Sequence, residues 1–520
     1  MKKILLTLFG FIFLLSPAFS QNPIIWKKTY NSNLGRSIMD FILTDTSCYI
    51  LSQTANNVEL ININKATGNL NFSKTYNGQN IEYPGPMYIT NHSIDIFGIT
   101  SSTEGIYKHN HGNWDIFHLK TDLSGTLIDT NFFGGSLSDR GGVFKLSNNK
   151  YICSAKSESI DGDLSFCSST TNNRSWIFIS DSSGNIQKYK CNDTIDVAGK
   201  FVFQNGHYYL LTSGTFMQSG GYTYNYPPNS QGNPGGPSPD FLVVEYDTMF
   251  NIISVKNYGS DSYESLTSAI STEDNGFMLL GHTDYIHDTL DVSGGIGGRD
   301  FYCVKLDSNA NLQWSKCFGT MGNDNNGSKI FQTSDHGFLI YASIDEATGN
   351  VTNHYGKSDT WLAKIDSVGN FIWERTFGGS NYDYADLIRE DSDGSIFITG
   401  TTNSTDGTFS GMAIQGQSDI FVIKLAPWVG IKQGEKPKFN ITLYPNPTQS
   451  GAYINLSGLP VKTMEYQLDI VNLQGQKLYS ERFTATYKHK VNLPRLSRGI
   501  YFVRLTNDKG EVRNAKFIVN

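Results

Sequence analysis

Apolar residues recur along this chain in short dense runs, not in helical stripes. Asp240-Phe241-Leu242-Val243-Val244, Asp300-Phe301-Tyr302-Cys303-Val304, Asp359-Thr360-Trp361-Leu362-Ala363 and Asp419-Ile420-Phe421-Val422-Ile423 begin 60, 59 and 60 residues apart. Earlier copies begin at Asp115 and near Ser175, and a worn copy is Val58-Glu59-Leu60-Ile61-Asn62-Ile63. Runs apolar at every position predict strands buried on both faces. After a Gly or Asn turn each run continues into a second strand, as in Asn311-Leu312-Gln313-Trp314 and Asn370-Phe371-Ile372-Trp373, with Pro23-Ile24-Ile25-Trp26 opening the series. A glycine loop follows (Phe133-Gly134-Gly135-Ser136, Phe377-Gly378-Gly379-Ser380). Then comes a hairpin signal at Asp274-Asn275-Gly276, Asp335-His336-Gly337 or Ser392-Asp393-Gly394.

Four strands per unit and seven units of about 60 residues predict a seven-bladed β-propeller. Solenoid repeats are usually shorter. The pattern is similar to secreted bacterial β-propeller repeats of an Asp-rich, aspartate-to-tryptophan type. We number the strands outward from the Trp-bearing one, which places the glycine loops and every long insertion on one face. A feature that recurs in phase is read as scaffold, and one that breaks phase as a candidate for function.

The last segment has a different pattern. Tyr466, Leu468 and Ile470 alternate with polar residues, and Ile500-Tyr501-Phe502-Val503-Arg504-Leu505 with Phe517-Ile518-Val519 reads as a hairpin. About seven short strands fit, giving an all-β chain: a seven-bladed β-propeller followed by a small immunoglobulin-like β-sandwich. Charge marks the same division, net −16 from Gln21 to Pro437 and +7 from Lys438 to Asn520. The expected organisation is a signal peptide at 1–20, the propeller at 21–428, a linker at 429–437 and the sandwich at 438–520. Met1-Lys2-Lys3, the apolar Ile4 to Leu15, and Ser16-Pro17-Ala18-Phe19-Ser20 form the n-region, h-region and cleavage site. No later run is long enough to span a membrane.

Four ordered motifs close the chain: Leu443-Tyr444-Pro445-Asn446-Pro447, Val471-Asn472-Leu473-Gln474-Gly475, Leu496-Ser497-Arg498-Gly499-Ile500-Tyr501, and Lys516-Phe517-Ile518-Val519-Asn520. They resemble the type A C-terminal sorting domain of Bacteroidetes cargo for the type IX secretion system. The resemblance implies Sec export to the periplasm, recognition of the tail by the outer-membrane machinery, and release or attachment at the cell surface. Tyr444, Pro445, Asn446, Pro447, Gly475, Gly499, Tyr501 and Lys516 carry it. In that family the tail is often cut, here expected near Gly434.

Chemistry in the body is sparse. The Asp-x-Gly turns recur in phase, so Asp391-Ser392-Asp393-Gly394 is read as a turn in preference to a calcium loop. Asp139, Asp261, Asp324 and Asp383 are read as capping their own glycine loops. The insertion Met217 to Pro239 carries Tyr222, Tyr224 and Tyr226 among Gly, Pro and Asn. With His287 and His354 these are the candidate ligand contacts. His109 and His111 lie in similar loops, but the histidines belong to different units, so no metal site and no cofactor are expected. Cys167 and Cys191 are placed on one face as a candidate disulfide, with Cys48, Cys153 and Cys303 buried and reduced. There is no Gly-x-Ser-x-Gly elbow and no His-Glu-x-x-His. The favoured function is therefore a secreted or surface-attached binding or adhesion protein, its ligand carbohydrate or protein. The alternative is a polysaccharide hydrolase or lyase on the same face. The acidic body argues against nucleic acid.

Overall fold

Each repeating apolar run is the third strand of a four-stranded antiparallel sheet. The runs become Asn57–Asn64, Asp115–Thr121, Arg174–Asp181, Asp240–Tyr246, Asp300–Leu306, Asp359–Ile365 and Asp419–Leu425. In the computed structural model residues 23–520 are described, except 31–35, 91, 147–149, 168–173, 193–198, 215–239, 261, 285–291, 293, 325, 415–417, 428–441, 445, 450–452, 458–463, 473–476, 486–487 and 508–511. The chain divides into two compact units, Met1–Trp428 and Val429–Asn520. The expected signal peptide and linker lie outside the described residues.

In the first unit the sheets span 36–76, 82–133, 139–192, 200–258, 264–318, 326–377 and 383–425. The last is completed by the N-terminal strand Ile24–Tyr30, which pairs with Asp419–Leu425. The first and last strands of this unit thus share one sheet. Each sheet packs on the next, and the last packs on the first through Asp383–Glu390 against Arg36–Leu43. That closed succession is propeller-like. Between neighbouring sheets the apolar runs interlock: Met278, Leu280, Phe301 and Cys303 of the fifth meet Phe338, Ile340, Trp361 and Ile365 of the sixth. Full burial of one such side chain is worth about 1.5–3 kcal/mol, so the third strands, buried on both faces, supply much of the core.

The strand numbering expected from the sequence is displaced by one. The Trp-bearing strand is the fourth of its sheet, not the first: Leu312–Phe318 pairs with Asp300–Leu306 at the sheet edge. The glycine loop therefore passes from one sheet to the next. The strand after it is innermost, since Glu264–Ser271 touches Asn326–Gln332 and Asn326–Gln332 touches Asp383–Glu390. A period in sequence leaves open where a unit is cut, and only packing around the axis decides it. The grouping of loops survives, because antiparallel alternation puts the glycine loops and the second-to-third-strand insertions at the same strand ends.

The second unit has two antiparallel sheets, one of three strands (Thr442–Tyr444, Tyr453–Ser457, Lys488–Asn492) and one of four (Met464–Val471, Lys477–Ala485, Gly499–Asn507, Val512–Val519). Tyr466, Leu468, Ile470, Val503, Leu505 and Phe517 bury on Leu443 and Val491. These are the period-two positions of the sequence pattern.

Candidate functional site

The repeated carboxylates are consumed by the scaffold. Asp139 Oδ2 accepts from Gly135 N and Ser159 Oγ, both at 2.7 Å, and Asp383 from Gly379 N at 2.8 Å and Ser404 Oγ at 2.7 Å. Asp324 accepts from Thr320 N at 2.7 Å, and its burial pushes the carboxyl up to about 6. Asp261 lies outside the described residues. The corresponding group in its sheet is Glu264, which accepts from Ser260 N at 3.0 Å and Thr283 Oγ1 at 2.7 Å. Glu82 holds Thr100 and Ser102 in the same way. Each acid ties a glycine loop or the end of the second strand to its own first strand. A second set opens the third strands: Asp300 accepts from Ile296 N at 2.8 Å, and Asp115 from His111 N at 2.6 Å.

The Asp-x-Gly turns have a further task. Lys305 and Lys364, buried in third strands, reach Asp274 at 2.8 Å and Asp335 at 2.7 Å, and Lys65 reaches Asp391 at 2.9 Å. Asp393 instead accepts from Ser395 N at 2.8 Å. The turn acids thus neutralise cations that the sheets would otherwise bury alone.

Of the candidate ligand contacts, Tyr222, Tyr224, Tyr226 and His287 lie outside the described residues. His354 is 17% exposed, with Nε2 3.7 Å from Asp359 Oδ2. His111 Nδ1 is 2.9 Å from Asp115, and that hydrogen bond raises its pKa above the ordinary histidine value. Both histidines sit beside the acid that opens a third strand, in different sheets. Cys167 and Cys191 are joined as a disulfide with Cα atoms 5.9 Å apart. Cys167 lies between the second and third strands of the third sheet and Cys191 in its fourth strand. Cys48, Cys153, Cys303 and Cys317 are buried and outside the disulfide.

The same face carries residues that the sequence reading passed over. Tyr83 stacks on Trp114 (5.6 Å between ring centres, 20° between planes), and the Arg140 guanidinium lies 4.7 Å from the Trp114 ring centre. Tyr83 is 44% exposed. The signal was available, because Trp114 stands where other units have Arg299 and Ser358, each bridged to the following sheet's entry. Beside Arg140 a cavity of about 510 Å³ opens between the third and fourth sheets. Across the face Tyr382 stacks on Tyr384 at 6.0 Å, with Lys357 5.0 Å from the Tyr382 ring centre.

Along the axis the innermost strands bring charged groups together. Arg389 Nη2 lies 3.5 Å from Asp40 Oδ1, which shares its carboxylate with Met87 N at 2.9 Å. Lys200 Nζ donates to Ala269 O at 2.8 Å, and burial pushes this lysine down to about 8. Burial pushes the Asp386 carboxyl up to about 7, opposed by the nearby Lys329 cation.

In the second unit the terminal motifs meet. Asn446 Nδ2 donates to Lys516 O at 3.0 Å, and Asn446 Oδ1 accepts from Ile518 N at 2.9 Å. Thr448 N donates to Ile518 O at 2.8 Å and Asn520 N to Thr448 O at 2.9 Å. One asparagine amide thus acts as a strand partner for the chain's last strand. Tyr501 donates its hydroxyl to Ser497 O at 2.8 Å, beside Gly499, which opens its strand. Tyr444 ends the strand Thr442–Tyr444, Pro447 is exposed, and Pro445 and Gly475 lie outside the described residues.

Propeller-like body and clamped tail define the class, an exported all-β cargo protein. Residues 442–520 match the secretion system C-terminal sorting domain family. The tail marks the chain as type IX secretion cargo, destined for secretion or the cell surface. Among the described residues no helix is long and apolar enough to cross a membrane. No curated protein matches the sequence. Solved structures similar to it include the Neurospora crassa Pan2 WD40 domain, at 8% identity, covering 75% of this chain and 89% of that one, with a TM-score of 0.39. The Dos1 propeller is 10% identical, with coverages of 77% and 94% and a TM-score of 0.39. A protein of unknown function from Dyadobacter fermentans is 11% identical, with coverages of 78% and 99% and a TM-score of 0.35.

Proposed function

We propose that the chain is a seven-bladed β-propeller with an immunoglobulin-like sorting sandwich, made by a member of the Bacteroidetes and led out of the cytoplasm by a signal peptide at 1–20. The propeller occupies 21–428, and 429–437 links it to the tail at 438–520. Its function is binding or adhesion outside the cell, with a carbohydrate or protein ligand held on the face of the glycine loops. The supporting observation is that the repeated acids are occupied in capping loops and pairing lysines, while aromatic and cationic side chains gather at that face. Tyr222, Tyr224, Tyr226, His287 and His354 are proposed to contribute from their loops.

The reading is tested by incubating the full chain with a polysaccharide panel and scoring retention together with new chain ends. Retention without new ends is expected. New reducing or unsaturated ends would instead establish the second reading, a polysaccharide hydrolase or lyase.

A further inference from the structure

Five of the seven sheets carry a bulge in their innermost strand pair, at Ile38/Asp40, Pro84/Met87, Leu266/Ser268, Asn326/Lys329 and Ala385/Leu387. A bulge places an extra residue there and bends the strand. The third sheet pairs in unbroken register there, and between it and the fourth opens the cavity of about 510 Å³, lined by Arg140, Gly142, Lys156, Glu158 and Gly199. Small-ligand sites span about 300–1,000 Å³.

Its two floor glycines differ. A Cβ on Gly141 would lie 2.2 Å from Ser154 O, so the close strand approach demands glycine. A Cβ on Gly142 would meet nothing nearer than the Phe144 ring at 3.4 Å, in a backbone conformation open to any residue. Packing does not require glycine at 142, and its missing side chain leaves the cavity open. The Arg140 guanidinium lies 4.7 Å from the Trp114 ring centre, and a guanidinium presents its N–H donors in one planar fork. Arg140 and Lys156 against Glu158 make the cleft locally cationic, in a stretch whose net charge is −16.

We propose that this cleft is a subsite for one carboxylated sugar residue of an acidic polysaccharide. Arg140 takes the carboxylate in a bidentate pair. Tyr83, exposed and stacked on Trp114 beside Arg140, borders the sugar ring, and Lys156, Glu158 and the bare glycine backbone meet its hydroxyls. The inference rests on the carbohydrate-binding reading above and narrows it.

The test is calorimetric titration of the full chain with polygalacturonate, alginate and hyaluronate, with methyl-esterified polygalacturonate, dextran and xylan as uncharged polymers. At least one acidic polymer binds, and R140Q and G142L each weaken it tenfold or more. R140K does not restore it, and esterification removes it. R140Q changes an exposed side chain, so it reports on the site even if G142L misfolds. Acidic polymers bound equally by R140Q and the parent, or neutral polymers bound as well as acidic ones, would overturn the subsite and leave carbohydrate binding standing. No retention of any polymer would overturn both.

Discussion

The second sheet contains a polar pair where the other sheets are apolar, and this gives a sharp test of how the core is held. His118 Nε2 lies 2.7 Å from Asp95 Oδ1, both side chains are fully buried, and the imidazole stacks on Phe97 at 4.4 Å. His118 stands where other third strands have Val243, Cys303, Leu362 and Val422; Asp95 stands where second strands have Met278, Leu339 and Phe397. His118→Leu leaves the Asp95 carboxyl buried without its partner, which costs about 3–5 kcal/mol. Unfolding entropy is about 2.1 cal/mol/K per residue, so for a unit of about 400 residues this lowers Tm by about 4–6 °C. The double variant D95L/H118L restores the apolar pattern and is expected within about 1 kcal/mol of the parent. Calorimetric melting of the parent, both single variants and the double variant closes the cycle. If the two single losses simply add in the double variant, the pair is not mutually compensating and the reasoning fails.

Three other outcomes are expected. The Asp386 carboxyl is raised to about 7 by burial, so its protonated form stabilises the fold at low pH and that contribution is lost as pH rises from about 4 through 7; D386N should therefore gain Tm over the parent at pH 8 and not at pH 4, and a constant difference across that window would refute the assignment. Asn446→Ala removes two hydrogen bonds to the last strand, about 1–2 kcal/mol together, and should speed amide exchange at Ile518 above all, as read by hydrogen-exchange NMR. Reducing Cys167–Cys191, 24 residues apart, should lower stability by about 3 kcal/mol in a denaturant titration, and C167S should abolish the difference between reduced and oxidised samples.

Much of the architecture was legible because each unit repeats the same local demand. A strand buried on both faces must be apolar throughout, and Phe241 to Val244 or Ile420 to Ile423 meet that demand at a fixed spacing. The tail was legible for a related reason, since Asn446 and Lys516 belong to motifs 70 residues apart that one side-chain amide brings together. Less of the candidate site could be read. The tyrosines of 217–239 and His354 stand out in the sequence, while Tyr83, Trp114 and Arg140 are single residues of three separate strands and loops. Trp114 breaks phase, yet no spacing along the chain says that it meets Tyr83 and Arg140.

By itself, then, the amino-acid sequence determined what depends on short-range order: the strand pattern, the repeat length, the turn chemistry and the sorting tail. Tertiary structure alone decided which strand lies at the axis, that Ile24–Tyr30 completes the last sheet, and that a cleft opens beside Arg140. These depend on contacts between sheets, where residues far apart in the chain exclude water from one another, and no local pattern encodes which faces will meet.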